Sequence, residues 1–511
     1  MAVETELKLS IAAADAARLD EVPVVREHQV GDRKTGRLVN VYYDTPELKL
    51  LERGYGLRLR EQNGRWRQTV KREGTVAAGL QCRPEWEHEL AGQALELERF
   101  DDPALRAVLD DPGIRGGLGP CFTTDFRRTV RDLRFADGTV IEMAVDVGTI
   151  RAGERACPLA EVELELKNGA PYRVFETAHA IHVGVPVRIL HQTKAERGYA
   201  LISPPPPPAA TKAGRVELAP GITADGVFQT VLWHTLDHLL RNEPVVLENP
   251  ADIEGVHQMR VATRRMRSCL RVFRPLISRP VASLLNARVR WLTDALGPAR
   301  DWDVLIDETL EPLGEQQAGG AALEKLRDRA NRCREEAYAA VREALLSPRY
   351  TELMLTLAAW IEAQSWRGLV DGERRAQLDR PAIDLARELL EKRHTEVMER
   401  GKRFDRLTVE ERHDLRIRGK RLRYLAEFFA GLWGAEQVRP FTRALSRLQD
   451  VLGALNDAAV ARRLLADVTD GAGDPAGNLV LGWKAAVTAA CLADFGAAWK
   501  AFSAAEPYWR D

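Results

Sequence analysis

Charged side chains fall on alternate positions in five separate stretches between Glu4 and Lys167, and no other feature constrains the fold as tightly. Successive side chains of an extended strand point to opposite faces. In Glu4-Thr5-Glu6-Leu7-Lys8 two carboxylates and an ammonium therefore share one face, with Thr5, Leu7 and Leu9 behind. Arg58 and Arg60 alternate with Leu57 and Leu59, and Glu85, Glu87 and Glu89 alternate with Trp86 and His88. Glu142 and Asp146 share a face, as do Glu161, Glu163, Glu165 and Lys167. One such strand fits an antiparallel sheet with a wet side, or a solvated edge. Five strands mixing acids and bases this densely are explained together by a closed barrel with a polar lumen, where facing carboxylates need cations between them.

Strand-like segments are confined to the first part of the chain: Glu4–Leu9, Leu38–Asp44, Tyr55–Glu61, Arg65–Lys71, Glu85–Leu90, Thr139–Val147 and Glu161–Lys167. Gln62-Asn63-Gly64 and Ala136-Asp137-Gly138 supply turns between them. Five prolines, Pro204 to Pro208, then interrupt the chain. Such a run favours polyproline II and predicts a semi-rigid spacer of roughly 16 Å. Beyond it, Val227–Arg241, Val256–Phe273, Arg288–Leu296 and Leu415–Leu432 show helical apolar spacing. Trp233, Trp291, Trp302 and Trp360 are expected in the helical core. The expected architecture is an α+β multidomain chain: a β-rich domain over 1–202, a linker over 203–215, and an all-α domain over 216–511.

Bulk composition excludes more than it selects. The 511 residues hold 74 Lys+Arg against 75 Asp+Glu, a net charge of −1, so only local clustering can point to a partner. No uninterrupted run of about 18 apolar residues is present, and no membrane span or membrane partner is expected. The N-terminus lacks a basic-then-apolar signal pattern, and a cytoplasmic protein is expected. Six scattered cysteines form no CxxC pair, which suggests neither a disulfide framework nor a zinc cluster. His28, His88, His179, His182 and His191 share no metal-ligand spacing, and no Ser-His-Asp or Cys-His arrangement competes for the chemistry.

The opening Glu4-Thr5-Glu6-Leu7-Lys8, the charged strands after it, and Lys194-Ala195-Glu196-Arg197-Gly198-Tyr199 resemble the CYTH domain of the triphosphate tunnel metalloenzymes. Tyr42-Tyr43-Asp44-Thr45-Pro46 and Arg83-Pro84-Glu85 fall in the expected order. The resemblance implies an eight-stranded antiparallel β tunnel that hydrolyses triphosphates with Mg²⁺ or Mn²⁺. Carried onto this sequence, it implies phosphate-gripping roles for Lys8, Arg58, Arg60, Lys71, Arg128 and Lys194. It implies metal-side roles for Glu4, Glu6, Glu85, Asp146, Glu163 and Glu165. Arg127 against Arg128, and which two of Glu161, Glu163 and Glu165 face a metal, depend on strand register, because a one-residue slip swaps faces. The chemistry is coherent: arginine forks and lysine point charges suit phosphate oxygens, and hard divalent cations want carboxylates.

The second half repeats itself. His257-Gln258-Met259-Arg260-Val261-Ala262-Thr263-Arg264-Arg265-Met266-Arg267 returns 156 residues later as His413-Asp414-Leu415-Arg416-Ile417-Arg418-Gly419-Lys420-Arg421-Leu422-Arg423. Leu292–Gly297 returns as Leu448–Gly453, Asp301 falls on Asp457 and His238 on His394 at the same shift. One offset over separated patches predicts two tandem helical units, about 222–370 and 380–511. From Val256 to Thr293 there are nine arginines and no acid. His257, Arg260, Arg264, Arg267, Arg271 and Arg274 recur every three or four residues, on one helical stripe whose like charges repel unless an anion lies across them. A solvated basic face paired with Asp294, Asp301 and Asp303 is the alternative.

These repeats, with their Leu-Gly-x-x-Arg/Asn-Asp segments, resemble the CHAD domain, a helical module that often follows a CYTH domain. That resemblance implies two pseudo-symmetric four-helix bundles binding inorganic polyphosphate through His257, Arg260, Arg264, Arg265, Arg267, Arg271, His413, Arg416, Lys420, Arg421 and Arg423. The second copy departs from the pattern at Lys420, with Asp414 and Glu427 nearby. Nucleic acid is not expected, because the stripe has no interleaved aromatics for base stacking. The expected function is a metal-dependent triphosphatase acting on inorganic tripolyphosphate or a related triphosphate, with a polyphosphate-binding helical domain and possible association with polyphosphate granules. The alternatives are a non-catalytic polyphosphate sensor, an adenylate cyclase or a thiamine triphosphatase on the same tunnel.

Overall fold

The alternating segments pair into one antiparallel sheet that closes on itself. A computed structural model describes residues 2–77, 79–316, 319–469 and 473–510, with side chains for all of these except 2, 3, 75–77 and 454–457. Its strands are β1 (Ala2–Ile11), β2 (Gln29–Asp44), β3 (Tyr55–Gln62), β4 (Arg65–Arg72), β5 (Thr75–Ala77), β6 (Leu80–Leu90), β7 (Gly119–Arg134), β8 (Val140–Ala152), β9 (Arg155–Asn168) and β10 (Val187–Ile189). Eight of them form a ring in the order β1-β9-β8-β7-β2-β3-β4-β6 and back to β1. β1 makes the closure. One of its edges pairs with β9 through Glu6–Ser10; the other pairs with β6 through Ala2–Leu7 and then with β10 through Leu9–Ile11.

The seven strands expected from alternation are present, most of them longer than expected. β7 is the strand that alternation does not reveal. Its inward positions are Phe122, Thr124, Phe126 and Arg128, half core and half tunnel, so neither face has a single polarity. The β3–β4 hairpin turns through Asn63 and Gly64, both at positive φ (53° and 76°), as a two-residue turn between right-twisted strands requires.

Inside the ring, Leu38, Tyr42, Phe122, Phe126, Ile150, Leu159 and Tyr199 form an apolar cluster. Tyr199 comes from the helix Lys194–Ile202, which begins with a Thr193–Glu196 capping box. Leu7, Leu9 and Leu164, on the reverse face of the charged strands, are fully buried. The helix Tyr172–Gly184 packs on β1 and β9, and Pro348–Glu362 packs on that helix in turn. His182 Nε2 donates to the Pro348 carbonyl (2.8 Å). The first compact unit therefore comprises Met1–Pro207 together with Ser347–Ala363, a helix the sequence assigns to the second half.

The second unit comprises Pro208–Leu346 and Gln364–Asp511. Its first set of helices is Ala224–Glu248, Glu254–Phe273, Arg279–Ala295 with Gly297–Leu305, and Gly320–Leu346. The set returns as Ala382–Gly401, Val409–Phe429, Ala435–Val468, and Pro475–Ala493 with Phe495–Ala504. The third helix is broken before Pro298 in the first copy and continuous in the second, where Ala454 stands at that place. Trp302 and Trp360 are buried as expected; Trp233 and Trp291 are only half-buried, and the fully buried tryptophans are Trp366 and Trp509.

The segment after Pro207 is no free spacer. The Ala210 and Thr211 amides donate to Asp252 and Asn242 (both 2.9 Å), and the Thr211 carbonyl accepts from Asn242 and His238 (both 3.0 Å). Val216 is buried. The segment is laid along the helices by backbone bonds that proline cannot donate but its neighbours can. Pro475–Ala504 has the length and composition of a membrane span, with a mean hydropathy of 1.4. Lys484, itself buried, and Asp494 interrupt it, so it contains no continuous apolar run of that length.

Gly198 explains one residue of the Lys194–Tyr199 motif. A Cβ there would lie 2.1 Å from the Phe122 ring, which is stacked on Tyr42 at 4.4 Å and edge-on to Tyr199 at 5.0 Å. Alanine gains roughly 1 kcal/mol of helix propensity, whereas overpacking costs about 1–3 kcal/mol. We expect Gly198→Ala to lower the Tm of the tunnel unit in calorimetry; an unchanged or raised Tm would show that the helix can shift off Phe122.

Candidate active site

The register turns the charged faces of β1, β3, β6, β8 and β9 inward. The lumen is a cavity of about 770 Å³, lined by ten basic and ten acidic side chains among the described residues. Lys8, Arg58, Arg60, Lys71, Arg128 and Lys194 all line it, as do Glu4, Glu6, Glu85, Glu163 and Glu165. Asp146 shares the inward face as the cross-strand partner of Arg128 and Glu161, but it is fully buried beneath Arg128 and Lys194. Arg128, not Arg127, faces the lumen.

The densest group gathers on β7, β8, β9 and the start of the helix Lys194–Ile202. Arg128 grips Asp146 with two bonds, from Nε (2.7 Å) and Nη2 (2.6 Å), and also reaches Glu163. The Lys194 ammonium contacts Asp146 (2.7 Å), Glu163 (2.9 Å) and Glu161. Lys8 pairs with Glu6 and Glu163, the latter at 3.1 Å. Phe126 lies beneath both Arg128 and Lys194, 5.7 and 5.4 Å from its ring centre. Further along, Lys71 joins Glu4 and Glu85 (3.4 Å), and Lys167 joins Glu165 (2.6 Å).

Burial alone would lower the lysine pKa values. For Lys8, Glu163 and Glu6 more than reverse it; for Lys194, Asp146, Glu163 and Glu161 do so. Both ammonium groups are held charged. Burial likewise pushes Glu163 up, but Lys194, Lys8 and Arg128 hold it well below the usual carboxylate range. Glu161 pairs with Lys194 and Arg197, the latter at 3.4 Å, yet sits above that range because burial and then the neighbouring Glu163 outweigh them. Arg60 is the exception among the bases. Burial, then Arg58 and Arg128, push it down to about 9. Arginine stays protonated in proteins, so this marks a site of crowded positive charge that wants an anion. Arg58 repels Arg60 but is itself compensated: Tyr42 and Glu85, the latter at 3.6 Å, outweigh burial and raise it, while its Nε is buried without a hydrogen-bond partner.

Carboxylate oxygens of Asp146, Glu161 and Glu163 lie within 4.8 Å of one another. Three hard oxygen donors at that spacing fit Mg²⁺ or Mn²⁺. Glu161 therefore joins the group that sequence left open, while Glu165 turns to Lys167. Tyr42 and Arg83, quoted in motifs but given no role, also line the lumen, as does Arg67, which sequence reasoning passed over together with Asn40, which holds Arg60 (2.9 Å).

In the helical unit the two repeated helices share one cavity of about 330 Å³. Arg260 and Arg264 face their own repeat-mates Arg416 and Lys420 across it, joined by His257, Arg300 and Lys484, with Asp301 and Glu308 as the acids. Burial and Arg300 push His257 down to about 4, so it is neutral at pH 7. The other expected residues lie elsewhere. Arg265 is buried, pairs with Glu427 (3.0 Å) and lies over Phe428, which removes it from the groove. Arg423 bonds Glu427 (3.3 Å) and Arg267 bonds Asn286 (3.3 Å). His413 and Arg271 are exposed outside the cavity, and Arg271 and Arg421 lie close enough to repel. The Asp457 side chain lies outside the described residues. Arg300 and Lys484 were missed; Arg300 stands in the quoted Leu-Gly segment, whereas nothing local marks Lys484.

The CYTH domain profile matches residues 2–199, and the CHAD domain profile matches residues 230–466. The chain thus carries a CYTH domain followed by a CHAD domain. An inorganic triphosphatase of Haemophilus influenzae is 32% identical over 202 residues, 39% of this chain and 55% of that protein. An uncharacterized protein of Mycobacterium tuberculosis is 30% identical over 260 residues, 50% of this chain and 48% of that protein. The chain thus spans about half the length of the curated relatives it matches. The crystal structure of the CHAD domain from the plant Ricinus communis superimposes with a TM-score of 0.51 at 33% identity, over 58% of this chain and 98% of that one.

Binding of a cation to the folded state alone raises stability by RT ln(1 + [L]/Kd). Mn²⁺ or Mg²⁺ is expected to raise the Tm of the CYTH unit, and Asp146→Asn to remove most of that rise, each variant being compared with its own metal-free sample. An equal rise in both proteins would take Asp146 out of the metal site.

Proposed function

We propose that the CYTH tunnel is a metal-dependent triphosphatase whose substrate is inorganic tripolyphosphate, and that the CHAD groove holds inorganic polyphosphate. The observation that carries the first part is the convergence of Arg58, Arg60 and Arg128 with Lys8, Lys71 and Lys194 on one lumen beside a three-carboxylate group. A triphosphate brings about four negative charges, and its hydrolysis depends mostly on positioning and charge neutralisation. The Haemophilus influenzae relative, an inorganic triphosphatase, supports this reading.

Arg60 presents a guanidinium whose positive charge is under-compensated, so phosphate oxygens replace repulsion with attraction there, while Arg58 beside it is held charged by Tyr42 and Glu85. Arg128 and Lys194 both pair with Asp146 and Glu163, and together with Lys8 they hold Glu163 ionised. A Mg²⁺ or Mn²⁺ ion held by Asp146, Glu161 and Glu163 would supply further charge neutralisation for the phosphate chain. Lys8 bridges Glu6 and Glu163 and orders the β1 side of the lumen. Phosphate release from tripolyphosphate with Mg²⁺ or Mn²⁺ should fall at least about a hundredfold in Glu6→Gln or Lys8→Ala. Full activity in both variants would refute the tunnel as the active site, and a preference for ATP or thiamine triphosphate in the same assay would refute the substrate.

In the groove, four cationic side chains from two repeats face one another with two acids among them, which suits a linear polyanion. We expect the full chain, made inert by Glu6→Gln, to bind polyphosphate with a steep salt dependence, by analogy with counterion release on other polyanions. Replacing Arg260 and Arg264 by Ala should abolish that binding and, in the chain with Glu6 intact, spare tripolyphosphate hydrolysis. Unchanged binding would remove the groove from the polyphosphate site.

A further inference from the structure

Arg60, Asn40 and Thr124 stand in one row across three strands, Asn40 being the direct cross-strand partner of Arg60 on β3 and of Thr124 on β7. Asn40 and Thr124 are fully buried. Arg60 Nε donates to Asn40 Oδ1 (2.9 Å), and Asn40 Nδ2 donates to Thr124 Oγ1 (2.7 Å). The orientation of the amide is forced, because a guanidinium has only donors and must meet the oxygen. Arg60 thus lines the lumen with its Nε side tied down.

Its neighbours are treated differently. Arg128 meets Asp146 and Glu163, and Arg58 faces Glu85, whereas Arg60 is in no ion pair among the described residues. Glu87, the acid that most favours its charge, is already held by Arg67 (3.0 Å) and Thr69 (3.2 Å). An aspartate of the same shape at position 40 would supply a buried carboxylate at hydrogen-bond distance and neutralise the arginine internally.

We propose that Asn40 is a positioning residue that aims Arg60 at the phosphate chain, and that its neutrality reserves the charge of Arg60 for the substrate. This rests on the tripolyphosphate reading of the tunnel. A neutral amide fixes direction without placing an opposite charge beside the guanidinium, which a carboxylate would do. Asn40 acts through Arg60 and touches no substrate.

The test uses the full chain with tripolyphosphate and Mg²⁺. Asn40→Asp should raise KM about tenfold or more with a smaller change in kcat, the signature of lost substrate binding. Asn40→Ala should lower kcat/KM as well, yet neither change should add to the loss already present in Arg60→Ala, because residues acting as one unit are not additive. Wild-type constants in Asn40→Asp, or fully additive losses on the Arg60→Ala background, would overturn the proposal. A wild-type chain that neither binds nor hydrolyses tripolyphosphate would instead refute the substrate reading. Nitrogen-15 NMR of the arginine side chains then decides the positioning alone: Arg60 Nε–H exchange should be slow in the wild type and fast in Asn40→Ala, and equal exchange in both would overturn it.

Discussion

Closure of the sheet through β1 is the constraint on which the rest of the first unit depends. An open sheet with these charged faces would turn them to water, where each lysine and glutamate is solvated at little cost. Once β1 pairs with both β6 and β9, the same faces line an enclosed lumen, and desolvation must be offset by opposite charge. Ten bases and ten acids on the wall are the consequence, and Lys194 among three carboxylates is its extreme case. The ring also has no free β1 or β6 edge over the paired residues, which removes a template for aggregation.

The two halves build anion sites by different physics. In the tunnel, cations are buried beside carboxylates, so the field is local and little screened by salt. That arrangement suits a multiply charged substrate together with a divalent cation, because both signs of charge are provided for. In the helical groove, two copies of one helix bring like charges face to face, and the acids Asp301 and Glu308 only partly offset them. Arg260 and His257 both feel that excess, each being pushed below its ordinary value, first by burial and then by neighbouring arginines.

Period-two and period-three-to-four patterns made most of this legible. Glu4, Glu6 and Lys8 share a face for reasons of strand geometry, and the structure places them on the lumen with the other matched bases and acids. Arg260, Arg264, Arg416 and Lys420 likewise follow from helical spacing and one fixed offset. Arg265 does not: at about 100° per residue it lies roughly 140° around the helix from Arg260, and it packs inward on Phe428. β7 escaped because its inward face changes character along its length, from Phe122 to Arg128. Asn40 escaped because a single amide between two valines carries no periodic signal at all.

What the sequence determined by itself is the set of faces: which residues can look the same way along a strand or helix, and that one helical unit occurs twice. What only the tertiary structure decided is which faces meet. Asp146, Glu161, Glu163 and Lys194 come from three separate elements, and only the β8–β9 register and the capped helix at Lys194 bring them to one point. The same holds for the strap over 208–216 and for the Pro348–Glu362 helix that joins the first unit. Local geometry follows from neighbouring dihedrals, which a sequence encodes directly. Long-range contact depends on closure and packing, which sum many weak terms spread over the whole chain.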